Sequence, residues 1–299
     1  MSQPEVRIYE VGPRDGLQAE ATLVPLDAKL RFVELLGEAG LRDIEATSLV
    51  RPDAIPQLAD ADELLTRLVR RPGVRYPVLV PNERGLARAI ASGVDAICLF
   101  TAATESYAQH NIRMSIAESL AAFTPVAEEA RRRGWWIRGY VSTAFGCPYE
   151  GEVDAGAVVR VAEALLDLGV DELAISDTAG VAAPVDVARV MDALDRSGIA
   201  MDALAFHFHD TRGTALANVL AAMERGARTF DAATGGTGGS PYAPGAAGNL
   251  ATEDLVYLLD RQGVRTDVDL VAVVAASRFI SEQLGHTPAS KVGRAGPWP

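Results

Sequence analysis

Three features of the sequence predict a closed TIM-type (β/α)8 barrel. Strands alternate with helices, a two-strand unit recurs four times, and polar residues gather at one end of the strands. Eight short apolar runs lie at residues 6–9, 41–46, 74–80, 94–100, 135–141, 170–176, 203–209 and 227–232. Between them, segments such as LDAKLRFVELLGEAG and DAGAVVRVAEALLDLG space their apolar residues near 3.6, the period of a helix with one buried face. Strand–helix alternation implies βαβ units, and these imply a parallel sheet.

Four times a helical pattern ends in glycine and a strand follows at once, in AGLRDIEA, SGVDAICLF, LGVDELAIS and RGARTFDAA. Gly40, Gly93, Gly169 and Gly226 suit the left-handed position just past a helix end. They precede the second, fourth, sixth and eighth strands, so four copies of a two-strand unit make the barrel. An open doubly wound sheet shares the alternation and is the main rival fold. No Gly/Ser linker or charge block divides the pattern. Residues 1–299 therefore read as one domain, with the barrel over about 5–262 and an additional C-terminal helix over about 267–285.

The 28 basic and 40 acidic residues leave a net charge of −12. That argues against nucleic acid as a partner, since Lys and Arg must neutralise phosphates. With 48% apolar and 23% charged residues, the composition is that of a folded globular chain. No stretch approaches the ~18 uninterrupted apolar residues of a membrane span, and MSQPEVRIYE lacks a signal peptide's apolar core. Cys98 and Cys147 are too few for a disulfide framework, so a reducing cytoplasm is the expected location.

Chemistry in such barrels sits at the C-terminal ends of the strands. The first strand leads into EVGPRDGLQ, with Arg14 and Asp15, and the second ends at Glu45. The fifth ends at Ser142 and Thr143 and the sixth at Asp177 and Thr178, which offer substrate contacts. The seventh carries His207 and His209, which lie two apart on a strand and so project to one face. Asp15 can meet them from the first strand, which adjoins the last in a closed barrel, and Asn249 from the final loop. Imidazole, carboxylate and amide donors without thiolate suit six-coordinate Mg2+ or Mn2+ better than structural zinc. The plainer alternative is a pair of histidines satisfied by carboxylates such as Asp210.

Arg14 is either a salt-bridge partner of Asp15 or Glu45, or a guanidinium placed to stabilise an oxyanion such as an enolate. Glu45 fits a group that orients Arg14 or a metal ligand. Asp177 is a substrate contact or the N-cap of the next helix. The loop 235–249, GGTGGSPYAPGAAGN, holds six glycines and two prolines and reads as a lid over the site. Only two basic residues are lysines, Lys29 in the first helix pattern and Lys291 near the C-terminus. Neither ends a strand, which excludes a Schiff-base lyase and leaves a metal to stabilise an enolate. Cys98 reads as core packing, and Cys147, after the fifth strand, as either structural or chemical.

Four stretches, EVGPRDGLQAE, RGYVSTAFGCPYEG, HFHDTRGTALAN and GGTGGSPYAPGAAGNLATEDLVYLL, closely resemble the signatures of the 3-hydroxy-3-methylglutaryl-CoA lyase family. These enzymes are metal-dependent TIM barrels, and the likeness runs from about residue 6 to 292. The resemblance implies metal ligands at Asp15, His207, His209 and Asn249, a catalytic Arg14, an essential Glu45, and the family's glutamine at Gln18. It implies retro-Claisen cleavage of a tertiary 3-hydroxyacyl-CoA to acetyl-CoA and a keto acid, with CoA present only as part of the substrate. The family carries a catalytic cysteine in G-G-C-P-Y-A, where this chain has Ser240. An alcohol is a far weaker proton donor than a thiol of pKa ~8.5. Either Ser240, water, Cys147 or another group supplies the proton, or the substrate is a relative such as citramalyl-CoA. A weakly active or non-catalytic metal-binding homologue is the third alternative. Arg84 and Lys291 are the candidates for holding the CoA phosphates, and a homodimer is the expected assembly.

Overall fold

Among the described residues, the eight expected strand positions are filled by nine short parallel strands, because the second position is broken in two. The computed structural model describes residues 5–239 and 247–296. Its strands are β1 (Arg7–Glu10), β2 (Asp43–Ile44), β3 (Thr47–Ser48), β4 (Val78–Leu79), β5 (Ala96–Ala102), β6 (Trp136–Ser142), β7 (Glu172–Asp177), β8 (Leu204–Phe208) and β9 (Thr229–Ala232). They run in the order β2-β1-β9-β8-β7-β6-β5-β4-β3. The two outermost strands are halves of one segment, separated only by Glu45 and Ala46. Glu45 N donates to Glu10 O at 2.9 Å on one side, and Ala46 N to Pro77 O at 3.0 Å on the other. The ladder thus passes from one neighbour to the other within a dipeptide, and the sheet closes on itself.

Some expected boundaries move, for local reasons. The second run, expected at 41–46, pairs instead across 43–48. The third shortens to Val78–Leu79, since Pro77 has no N–H to give the ladder. The seventh stops at Phe208, and His209 instead forms a lone antiparallel bridge with Asn249.

Helices cover the outside: α1 (Leu26–Glu38), α2 (Ala61–Arg67), α3 (Glu83–Ala91), α4 (Glu105–Ile112), α5 (Ile116–Arg132), α6 (Ala155–Asp167), α7 (Pro184–Arg196), α8 (Ala215–Glu224), α9 (Thr252–Arg261), α10 (Leu270–Leu284) and α11 (Lys291–Ala295). Gly40, Gly93, Gly169 and Gly226 have φ of +97°, +65°, +83° and +97°, the left-handed geometry expected past α1, α3, α6 and α8. The additional C-terminal helix is α10, opened by Asp269, whose carboxylate accepts from Val271 N and Ala272 N at 2.8 and 3.1 Å. The further short helix α11 was not expected from the sequence. Asp254 on α9 holds it, accepting from Ser290 Oγ, Lys291 N and Val292 N.

Two packing regions result. Between sheet and helices lies a continuous apolar core that includes Phe32, Leu36, Ile97, Leu165, Phe206, Phe230 and Ile280, all fully buried. Inside the barrel the apolar cluster is small, built on Tyr9, Val11, Leu79, Cys98, Tyr140, Ala174 and Ala233. The interior also holds buried charge. Arg138 is 0% exposed there, its Cζ 3.7 Å from the Tyr9 ring centroid.

Candidate active site

The chain leaves β1 through a π-helical turn, Gly12–Gly16, in which Gly16 N donates to Val11 O at 3.1 Å. This turn carries Arg14 and Asp15. Glu10, at the end of β1, fixes it to the segment that follows β9. Its Oε1 accepts from Gly12 N and Thr234 N, both at 2.8 Å, and its Oε2 from the hydroxyls of Thr234 and Thr252, both at 2.7 Å. A Cβ on Gly16 would lie 2.2 Å from Thr237 Oγ1, so only glycine lets the two segments touch. The close approach brings Asn249 beside Asp15.

Asp15, His207 and His209 each offer a ligand atom, and these atoms lie within 4.8 Å of one another. Asn249 Nδ2 donates to Asp15 Oδ2 at 3.0 Å and to Thr237 O at 3.2 Å. Two buried atoms of this cluster, Asn249 Oδ1 and His209 Nδ1, have no hydrogen-bond partner among the described residues. Burial and the neighbouring His207 push the His209 pKa down to about 3, so its imidazole is neutral and able to ligate at pH 7. Burial alone would raise Asp15, but Arg14, His207 and His209 outweigh it and bring its carboxyl to about 2. A carboxylate, imidazoles and an orphaned amide oxygen form a donor set that fits a hard divalent cation. The residues expected to bind metal therefore converge on one point.

Arg14 is 6% exposed and held on two sides. Its Nε and Nη2 donate to Glu45 at 2.7 and 3.1 Å, and its Nη1 to Asp15 Oδ1 at 2.6 Å. A guanidinium has five N–H groups, so one on each terminal nitrogen is not engaged by any described residue and is left for a ligand. The salt bridges of the plainer reading and a free donor edge thus coexist in one side chain. Glu45 also accepts from Tyr140 OH at 2.5 Å.

Sequence reasoning missed the residues behind this face. His207 Nδ1 lies 3.1 Å from Asp231 Oδ2, and Asp231 accepts a two-pronged contact from Arg138 at 2.6 and 3.0 Å. Arg138 Nη1 also donates to Tyr140 OH at 2.9 Å. Burial opposes the Asp231 charge, but Arg138 and His207 prevail and hold its pKa below the ordinary range. A signal was available, since charges of opposite sign in two apolar strands are costly unless paired.

The other expected residues are placed variously. Asp177 accepts from Val181 N and Ala182 N at 3.0 and 3.1 Å, so both its oxygens serve the turn before α7. Burial raises its pKa to about 6. Ser142 is buried at the end of β6, and Thr143 follows with φ +57°, a strained value for a β-branched residue. Thr178 Oγ1 accepts from Thr143 N at 2.9 Å. Gln18 is exposed beyond the π-helical turn, and Arg84 is exposed on α3. Lys291 Nζ is bound to the Asp210 carboxylate, and Lys29 is buried against Asp60 on the barrel's outside. Cys98 is buried with its sulfur 3.2 Å from Tyr9 OH, and Cys147 accepts from Thr104 Oγ1 at 3.2 Å. Ser240 lies outside the described residues, as does much of the loop expected to act as a lid.

The profile of the HMGL-like family matches residues 5–280. The cytoplasmic 3-hydroxy-3-methylglutaryl-CoA lyase of Rattus norvegicus is 46% identical, across 97% of this chain and 84% of its own. The HMG-CoA lyase of Bacillus subtilis superposes with a TM-score of 0.96 at 42% identity, covering 99% of both chains. An HMG-CoA lyase from Acinetobacter baumannii, solved in complex with coenzyme A and 3-methylmalate, gives a TM-score of 0.92 at 41% identity, over 99% of this chain and 98% of that one. With a profile match over most of its length and relatives this similar end to end, the chain belongs to the HMGL-like family.

Proposed function

We propose that this protein is a divalent-metal-dependent carbon–carbon lyase that cleaves 3-hydroxy-3-methylglutaryl-CoA to acetyl-CoA and acetoacetate. The observation that carries this reading is the juxtaposition of Asp15, His207, His209 and Asn249 with the Arg14–Glu45 pair, in a chain whose matched relatives are HMG-CoA lyases. The four residues would hold the cation, with Mg2+ or Mn2+ as the proposed ion. When bound, it supplies Lewis-acid polarisation of the substrate's oxygens.

The chain's own residues account for the remainder. In the cleavage, the C3 hydroxyl gives up its proton to a base and the bond from C3 to the CoA-side methylene breaks. The hydroxyl carbon becomes the ketone of acetoacetate. The methylene carbon, left as the enolate of acetyl-CoA, then takes up one proton. Arg14 directs its two remaining N–H groups at the thioester oxygen as negative charge builds there, a contribution of ~3–4 kcal/mol for a well-placed donor. Glu45 keeps the guanidinium from turning away. Ser240 is the proposed proton source at carbon in place of the family's cysteine. Gln18, Ser142, Thr143, Asp177 and Thr178 are the proposed substrate contacts, with Arg84 and Lys291 near the CoA phosphates. A homodimer is the proposed assembly. The proposed location is the cytoplasm, on the strength of the free Cys98 and Cys147 and the cytoplasmic rat relative.

Ser240 favours a second reading, in which a related 3-hydroxyacyl-CoA such as citramalyl-CoA is the better substrate. Incubating the protein and Mg2+ with each thioester in turn, and following acetyl-CoA release, separates the two. Faster release from hydroxymethylglutaryl-CoA supports the main reading. Faster release from citramalyl-CoA replaces it, and no release from either leaves a non-catalytic metal-binding homologue.

A further inference from the structure

We infer that Arg138 is a positioning residue that aligns His207 and Arg14 together, through two hydrogen-bonded arms that diverge from its guanidinium inside the barrel. The inference rests on the lyase reading above for its kinetic part, and on geometry alone for its cation-binding part.

Arg138 lies in the middle of β6, fully buried, far from where a surface salt bridge would serve. One arm runs to the cation ligands. Two terminal nitrogens grip both oxygens of Asp231, and Asp231 Oδ2 stands 3.1 Å from His207 Nδ1. A carboxylate there keeps the proton on Nδ1 and turns Nε2 toward the ligand cluster. The other arm runs to Arg14. Arg138 Nη1 donates to Tyr140 OH, which must then send its own proton to Glu45 Oε2, and Glu45 receives Arg14 on both oxygens. Every bond in this arm has a fixed direction, because a guanidinium only donates and a carboxylate only accepts. Nη1 is shared, serving Asp231 at 3.0 Å and Tyr140 at 2.9 Å, so movement of one arm moves the other. Lysine lacks the planar fork and cannot hold both partners.

The test compares wild type with Asp231→Asn, Tyr140→Phe and Arg138→Lys, reading Mn2+ affinity by electron paramagnetic resonance and kcat at saturating Mn2+. Thermal melting checks that each variant is folded. Asp231→Asn is expected to weaken Mn2+ binding about 10- to 100-fold. Tyr140→Phe is expected to leave Mn2+ affinity within about twofold and to lower kcat about 5- to 10-fold, the worth of one buried hydrogen bond. Arg138→Lys is expected to reduce both quantities. A purely structural role predicts lower melting temperatures with both quantities intact, and that result in folded Arg138→Lys overturns the inference. Equal loss of Mn2+ affinity in Tyr140→Phe and Asp231→Asn also overturns it, because the arms would not be separate. If Arg138→Lys does not fold, the other two variants decide. A wild type that binds Mn2+ but cleaves no thioester refutes the lyase reading, while the Mn2+ comparison of Asp231→Asn and Tyr140→Phe still judges the arms.

Discussion

Glu10→Gln should stabilise the protein above neutral pH while leaving every hydrogen bond at the head of β1 in place. Burial raises the Glu10 pKa from its ordinary 4.5 to about 7, although four donors face it. Its folded pKa lies above its unfolded one, so the ionised form is the one the fold disfavours. Below about 4.5 the group is protonated in both states and costs nothing; as pH rises through 7, stability falls, by ~3 kcal/mol in all. Glutamine can satisfy the same partners. Its carbonyl takes the two backbone N–H groups now on Oε1, and its amide donates to the Thr234 and Thr252 hydroxyls, which can accept as well as donate. Urea denaturation of both proteins at about pH 5 and about pH 8 isolates this one group, since every other titration is shared. The variant should gain ~2–3 kcal/mol over wild type between those conditions. A difference that does not change with pH would show that Glu10 ionises as an ordinary carboxyl does.

Glu45→Gln replaces the charge that clamps Arg14 with an amide, and should lower kcat/KM by ~100- to 1000-fold. Its Mn2+ affinity, measured by calorimetry, should change far less, because Glu45 does not touch the histidines. Ser240→Cys restores a thiol to the glycine-rich loop and should raise turnover of hydroxymethylglutaryl-CoA; unchanged turnover would remove residue 240 from the proton pathway. Mn2+ at 100 times its dissociation constant should add ~2.7 kcal/mol of stability to wild type, visible as a higher melting temperature. His209→Ala should lose most of that gain, and an equal gain in both proteins would place the ion elsewhere.

Much of the fold was legible because barrel periodicity is written in simple terms. Glycines at 40, 93, 169 and 226 mark helix ends, and the runs between them alternate by period. The break in the second strand was not legible, because it arises when one short segment must pair with two neighbours, a tertiary demand. The meeting of Asp15, His207 and His209 was legible because it combines a strand-end rule with the two-residue spacing of His207 and His209. Arg138 and Asp231 were not, since the same rule looks only at strand ends and these residues lie within β6 and β9. They sit in apolar surroundings where sequence alone says burial, and only the closed barrel shows Arg138 opposite Asp231. Glu10 is subtler, because alternation along β1 turns it away from the interior. Its partners Thr234 and Thr252 are more than 200 residues distant in sequence.

Cleavage before and after chelation decides whether this protein is a metal-dependent lyase. Protein treated with EDTA, then dialysed, is given hydroxymethylglutaryl-CoA with and without added Mg2+ or Mn2+, and acetyl-CoA and acetoacetate are measured together. Without metal there should be no cleavage, and returning either ion should restore equimolar formation of both products. Equal cleavage without metal, or none with any divalent ion while Mn2+ binds at Asp15, His207, His209 and Asn249, would contradict that function.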